Sequence, residues 1–300
     1  MPTLAYHVVD VFTDRPFAGN PLAVVLGADG LPADALQAIA REFHLSETAF
    51  PMQSSVADYR LRIFTPVVEL PFAGHPSVGS AWLLARLGKI GRGLVHQECG
   101  AGVLPVDVTG VGATLTGGDP SAGPPLDPLP LLPLVGLDAG ALLPAPDGGA
   151  AADPAGSSPA APRVAGAGMR FVFLPVLPRA VPAVTADMER IAASVQPLGA
   201  LGVSVFGWDP VSRLAHSRVF VPGIGEDPAT GSAAIGLGVY LAAAGMVPDG
   251  ATTPYTVRQG AEIRRPSVLY GTVTRTAGAV TRTTVGGEVA HVATGEITRP

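Results

Sequence analysis

The chain has 300 residues, 47% apolar and 14% charged, which suits one large globular domain or two of medium size. Its net charge of −5, with no Lys/Arg cluster, leaves a nucleic-acid backbone without a partner. The single cysteine, Cys99, excludes an internal disulfide and any cysteine-rich metal site.

The first turn-bounded segment, residues 6–12, is β-branched and aromatic and is predicted as a strand, broken by Thr13-Asp14-Arg15-Pro16. It replaces the basic and apolar regions of a signal peptide, and no apolar run reaches the ~18 residues that span a bilayer. A cytoplasmic protein with no membrane or nucleic-acid partner is expected. A short apolar strand is predicted at 22–26. Residues 31–43 read as an amphipathic helix, with Pro32 in its first turn and Leu36, Ile39, Ala40 and Phe43 on one face. Residues 59–63 alternate as a half-buried strand. A second helix is predicted from Pro76 to Leu87, stopped by Gly88.

From Gly117 to Gly168 the composition turns to Gly, Pro, Ala and Leu. A short helical turn is expected within 127–143, and 144–167 reads as a flexible insertion. Strands follow at 170–174, 203–207 and 217–221. A third helix, 228–245, is packed with Gly and Ala, which suits burial at close approach. The last strands are predicted at 268–273 and 288–293. No steady βαβ alternation is present, so the expected class is α+β, with mixed sheets wrapped on central helices. Domain boundaries are set at 1–117 and 118–300, the extreme C-terminus packing back on the first domain.

Two turns repeat each other, Phe17-Ala18-Gly19-Asn20-Pro21 and Phe72-Ala73-Gly74-His75-Pro76, and Glu226-Asp227-Pro228-Ala229-Thr230-Gly231-Ser232-Ala233 has related chemistry. Each alone reads equally well as a turn. Together, the unpaired N–H groups at two helix starts make a pocket for a carboxylate or an enolate-like oxygen. Asp227, just outside one of those starts, is expected to stay ionised. Leu45-Ser46-Glu47-Thr48-Ala49-Phe50 follows the first helix. Glu47 there is either a solvated surface carboxylate or, if buried, a group able to shuttle a proton to and from carbon.

Taken in order, the segments 10–25, 40–50, 64–81 and 225–233 resemble the phenazine-biosynthesis PhzF-like isomerases, with a looser match at Gln259-Gly260 and Arg265-Pro266-Ser267. The likeness covers the chain except 117–168. It implies a diaminopimelate-epimerase-like fold, two pseudo-symmetric α/β domains each wrapping a central helix, with the active site in the cleft between them. It implies isomerisation of trans-2,3-dihydro-3-hydroxyanthranilate or a relative by moving a proton from C3, and a homodimer. Glu47 would be the proton shuttle, with His75 and Asp227 holding the substrate's polar groups. Gly74, Gly231 and Ser232 would bind its carboxylate, with Ser46 a weaker candidate for that task.

Epimerases and racemases of the wider superfamily set two thiols against one carbon. Cys99 lies in neither turn, which excludes that chemistry and leaves suprafacial transfer by one carboxylate. No cofactor and no metal are expected, since His7, His44, His96, His216 and His291 show no ligand spacing. A hydrolase triad of Ser232, His75 and Asp227 is disfavoured because Ser232 lacks a Gly-x-Ser-x-Gly elbow. Arg60 and Arg62 read as a solvated strand face, and Trp82 and Trp208 as packing residues. The competing class is a non-catalytic small-molecule-binding or scaffold protein that keeps the fold.

Overall fold

The computed structural model describes residues 2–146 and 160–300, so the middle of the expected 144–167 insertion lies outside the described residues. Two compact units are formed. One comprises Met1–Thr116, Arg265–Val268 and Gly286–Pro300, the other Gly117–Arg264 and Leu269–Val285.

The first unit begins with β1 (Thr3–Val11), β2 (Asn20–Val25), α1 (Ala33–Phe43), β3 (Thr48–Met52) and β4 (Tyr59–Phe64). It continues through β5 (Glu69–Leu70), α2 (Gly74–Arg86), β6 (Gly93–Cys99), β7 (Gly102–Val108) and β8 (Gly112–Thr116). β1 pairs antiparallel with β2, β2 parallel with β3, and β3 antiparallel with β4. β4 pairs parallel with β6, which leads through antiparallel β7 to β8.

The second unit holds β9 (Pro120–Ala122), β10 (Arg163–Ala167), β11 (Met169–Pro175), α3 (Met188–Val195), β12 (Val203–Asp209) and β13 (Leu214–Val221). β14 (Gly225–Asp227), α4 (Gly231–Ala243), β15 (Thr252–Gln259), β16 (Ser267–Thr276) and β17 (Ala279–Thr298) complete the chain. Strands β9 to β13 pair in sequence, β11 and β12 in parallel, and β13 then takes β15 in parallel. The C-terminal part of β17 returns to the first unit, pairing with β1 and β8. That return closes the strand wrap around α2.

The two wrapped helices are buried along almost their whole length, as their apolar, small-residue sequences require. A Cβ on Gly79 of α2 would stand 2.7 Å from Val11 Cγ2 and 2.8 Å from Leu22 Cδ2. One on Gly238 of α4 would stand 2.6 Å from the Tyr255 hydroxyl oxygen. The glycines therefore set how closely each helix approaches its strands. α1 instead packs on the outside of its sheet, burying Leu36, Ile39 and Ala40 beside Leu4, Val25, Phe50 and Phe64.

Several elements differ from the predicted ones. α2 begins at Gly74 rather than Pro76, because Pro76 sits within the first turn, where its missing N–H costs nothing. α4 begins at Gly231 rather than 228, since residues up to Thr230 are held in an extended lead-in. Residues 163–167, expected within a flexible insertion, form β10, whose ladder with β11 satisfies their backbone. The helical turn expected in 127–143 is present as two 3₁₀ turns, Leu132–Val135 and Ala139–Ala141. No helix among the described residues is long and apolar enough to cross a membrane.

Candidate active site

Glu47 stands at the entry to β3, where parallel pairing of Thr48 and Ala49 with Ala23 and Val24 leads the chain into the sheet. Its side chain is buried rather than solvated, at 8% residue exposure. It faces His75, the second residue of α2, with Glu47 Oε2 3.5 Å from His75 Nε2. That separation is longer than a good hydrogen bond. Burial alone drives the His75 pKa down to about 3, so the imidazole is neutral at working pH. A neutral imidazole offers a donor or an acceptor to a ligand without adding charge.

Gly74 and His75 open α2, and their N–H groups belong to the first turn, which has no intrahelical acceptor. That turn is braced from below by Ser77, within the 64–81 segment, and by Gln97 and Tyr59, which lie outside the motifs. Ser77 Oγ donates to the Ala73 carbonyl at 2.9 Å and accepts from Gln97 Nε2 at 3.0 Å. Gln97 Oε1 in turn accepts from the Tyr59 hydroxyl at 2.9 Å. All three side chains are buried. Ser46, half-buried, donates to Asn20 Oδ1 at 3.3 Å, which ties the glutamate loop to the first Gly-Pro turn.

The first Gly-Pro turn is organised by a partly buried ion pair. Asp10 accepts from Arg265 on one oxygen and from the Phe17 N–H, at 2.7 Å, on the other. Arg265 also donates to the carbonyls of Ala18 at 2.7 Å and Gly19 at 2.9 Å. Phe17 adopts φ 67° and Gly19 φ 66°, a left-handed bend in which a Cβ on Gly19 would stand 2.4 Å from the Val11 carbonyl oxygen.

In the second unit, Asp227 ends β14 and is 7% exposed. Its Oδ2 accepts from the Thr230 hydroxyl at 2.5 Å. Gln259, at the end of β15, donates to the Asp227 carbonyl at 2.7 Å and to Thr230 Oγ1 at 3.1 Å, and accepts from the Thr230 N–H at 3.3 Å. These bonds hold the extended lead-in to α4, whose first turn presents buried Gly231 and Ser232. The predicted residues thus fall into two groups. Glu47, His75, Gly74 and Ser46 lie in the first unit, and Asp227, Gly231 and Ser232 in the second.

Other residues have plain structural duties. Arg62 pairs with Glu69 through two bonds of 2.7 Å, and Trp82 Nε1 donates to the Gly110 carbonyl at 3.3 Å. Trp208 is buried in β12. Cys99 ends β6 as a buried thiol.

The depressed His75 pKa has a consequence for stability. An unfolded chain protonates this imidazole near pH 6.5, whereas the folded chain does so only near 3. Stability from His75 is therefore complete above 6.5 and lost as pH falls toward 3, at a slope approaching ~1.4 kcal/mol per pH unit. Urea unfolding at several pH values between 7 and 4 should show this slope in the wild type and a shallower one in His75→Asn.

An uncharacterized isomerase from Mesorhizobium japonicum is 35% identical, over 99% of each chain. The trans-2,3-dihydro-3-hydroxyanthranilate isomerase of Pseudomonas fluorescens is 34% identical, over 94% of this chain and 95% of that one. The PhzF-family phenazine biosynthesis protein of Bacillus anthracis superposes with a TM-score of 0.86 at 25% identity, over 99% of this chain and 100% of that one. A hydroxyproline epimerase from Agrobacterium vitis shares the fold, with a TM-score of 0.65 at 15% identity, over 98% of this chain and 92% of that one. The fold is therefore the α+β, epimerase-like one, and the protein is an isomerase. Residues 9–295 match the family described as phenazine biosynthesis-like protein, and the chain belongs to that family.

Proposed function

We propose that the protein isomerises a small cyclic carboxylic acid, trans-2,3-dihydro-3-hydroxyanthranilate or a near relative, by suprafacial proton transfer. Glu47 takes the proton from C3 as the double-bond system shifts, exchanges it with solvent, and protonates another ring carbon from the same face. His75 and Asp227 hold the substrate's polar groups. The N–H groups of Gly74, Gly231 and Ser232 receive its carboxylate, with Ser46 assisting. One carboxylate is enough for both proton transfers, so the chemistry needs no metal or organic cofactor. On the same family likeness, the enzyme acts in the cytoplasm as a homodimer, in phenazine-type secondary metabolism.

The observation that carries this reading is Glu47 itself, a buried carboxylate facing a neutral imidazole at the start of a buried helix. Burial keeps bulk water from the carboxylate during each proton transfer to or from carbon, so that step meets no competing solvent, an advantage a surface carboxylate lacks. The named activity of the Pseudomonas relative supports the substrate class.

Incubation with dihydro-hydroxyanthranilate in D₂O, followed by NMR, tests the reading. Deuterium entering a ring carbon as the substrate isomerises is the expected outcome. A protein that binds the compound while leaving every carbon-bound hydrogen in place is a binder, and the proposal fails.

A further inference from the structure

The first and last strands of the chain carry a cluster that the isomerase chemistry leaves unused. His7 lies on β1, and His291 and Thr294 on β17. His7 Nδ1 stands 3.3 Å from His291 Nε2, and Thr294 Oγ1 stands 3.0 Å from each of these nitrogens. In sequence the two histidines are 284 residues apart, so no ligand spacing could show them.

Their meeting depends on an irregularity in the ladder. His7 is paired with Thr294, and Val8 with Ala293, but Val9 is paired with His291, so one extra residue of β17 is accommodated there. In a regular ladder, residues 291 and 294, three apart, would point to opposite faces. The bulge turns His291 onto the face that already carries His7 and Thr294. Bulges commonly re-aim a side chain in this way.

We infer that His7, His291 and Thr294 form a binding site for a divalent transition-metal ion of the zinc type. Two metal–nitrogen bonds of ~2.0–2.1 Å at the tetrahedral angle separate their nitrogens by about 3.3 Å, the separation found here. Imidazole is a preferred ligand for zinc, copper and nickel. Thr294 Oγ1 completes a three-atom face, and water takes the remaining positions. Both histidines are partly exposed, which leaves the face open to an incoming ion. The bound ion would fasten the N-terminal strand to the C-terminal one.

Titration of tag-free protein with zinc, followed by calorimetry, tests this. One saturable equivalent is expected in the wild type, with binding at least tenfold weaker in His7→Gln and in His291→Gln. Zinc should raise the thermal midpoint of the wild type and leave that of His291→Gln unchanged, because an ion that binds only the folded state stabilises it. Thr294→Val retains both nitrogens and should weaken binding less than either histidine replacement. The metal-free thermal midpoint of each variant establishes that it is folded. Absence of saturable binding in the wild type, or binding that survives both histidine replacements undiminished, overturns the site.

Discussion

Arg265→Ala is expected to lower unfolding stability by about 3 kcal/mol. Asp10 is 2% exposed, so removing its guanidinium partner leaves a carboxylate buried without its countercharge, a change that typically costs about 3–5 kcal/mol. The lower figure applies because 26% of the Arg265 side chain remains exposed. The loss also reaches the backbone. Arg265 holds the Ala18 and Gly19 carbonyls, while Asp10 holds the N–H of Phe17, a non-glycine residue in left-handed conformation. Arg265→Lys should recover only part of the stability, because one ammonium cannot reproduce a planar fork spread over a carboxylate and two carbonyls. Urea unfolding of the three proteins measures this. A change below about 0.5 kcal/mol in Arg265→Ala, the size of an ordinary surface substitution, would show that the pair does not organise the turn.

Glu47→Gln is expected to reduce isomerase turnover by roughly 10³-fold or more, near the upper part of what general acid–base catalysis contributes. The amide keeps the size and hydrogen-bonding reach of the acid but cannot carry a proton between two carbons. The fold should survive, since the replacement fills the same buried space with a side chain of the same shape. Glu47→Asp keeps the chemistry and withdraws the carboxylate by one methylene, so its activity should lie between the two. Steady-state rates under saturating substrate measure both. Turnover in Glu47→Gln equal to that of the wild type contradicts the assignment.

Much of this framework is legible in the order of the amino acids. The Gly/Ala-rich segment 228–245 reads as a helix buried at close approach, and α4 is buried as expected, while α2 forms where the second helix is predicted. The 3.6-residue stripe of Leu36, Ile39 and Ala40 likewise locates α1. The strands that escape notice carry residues that disguise their alternation. β6 turns Gln97 and Cys99 inward beside Val95, β15 buries Thr253 and Gln259 beside Tyr255 and Val257, and β3 and β7 contain Pro51 and Pro105.

The candidate site shows the same division. Glu47, His75 and Asp227 stand in recognisable motifs, and Asp10, Ser77 and Arg265 fall in matched segments too, but which group braces which is not written there. Arg265 meets Asp10 from 255 positions away, and Gln97 reaches Ser77 from a neighbouring strand. Such contacts are set by strand order and register, which local sequence patterns do not encode.

The central claim is that one buried carboxylate carries the substrate's proton, and hydrogen exchange into the substrate in D₂O measures that step directly. Deuterium incorporation that disappears in Glu47→Gln and persists in Cys99→Ala is the predicted result. Incorporation that continues unchanged in Glu47→Gln, or that vanishes with the single thiol, contradicts it.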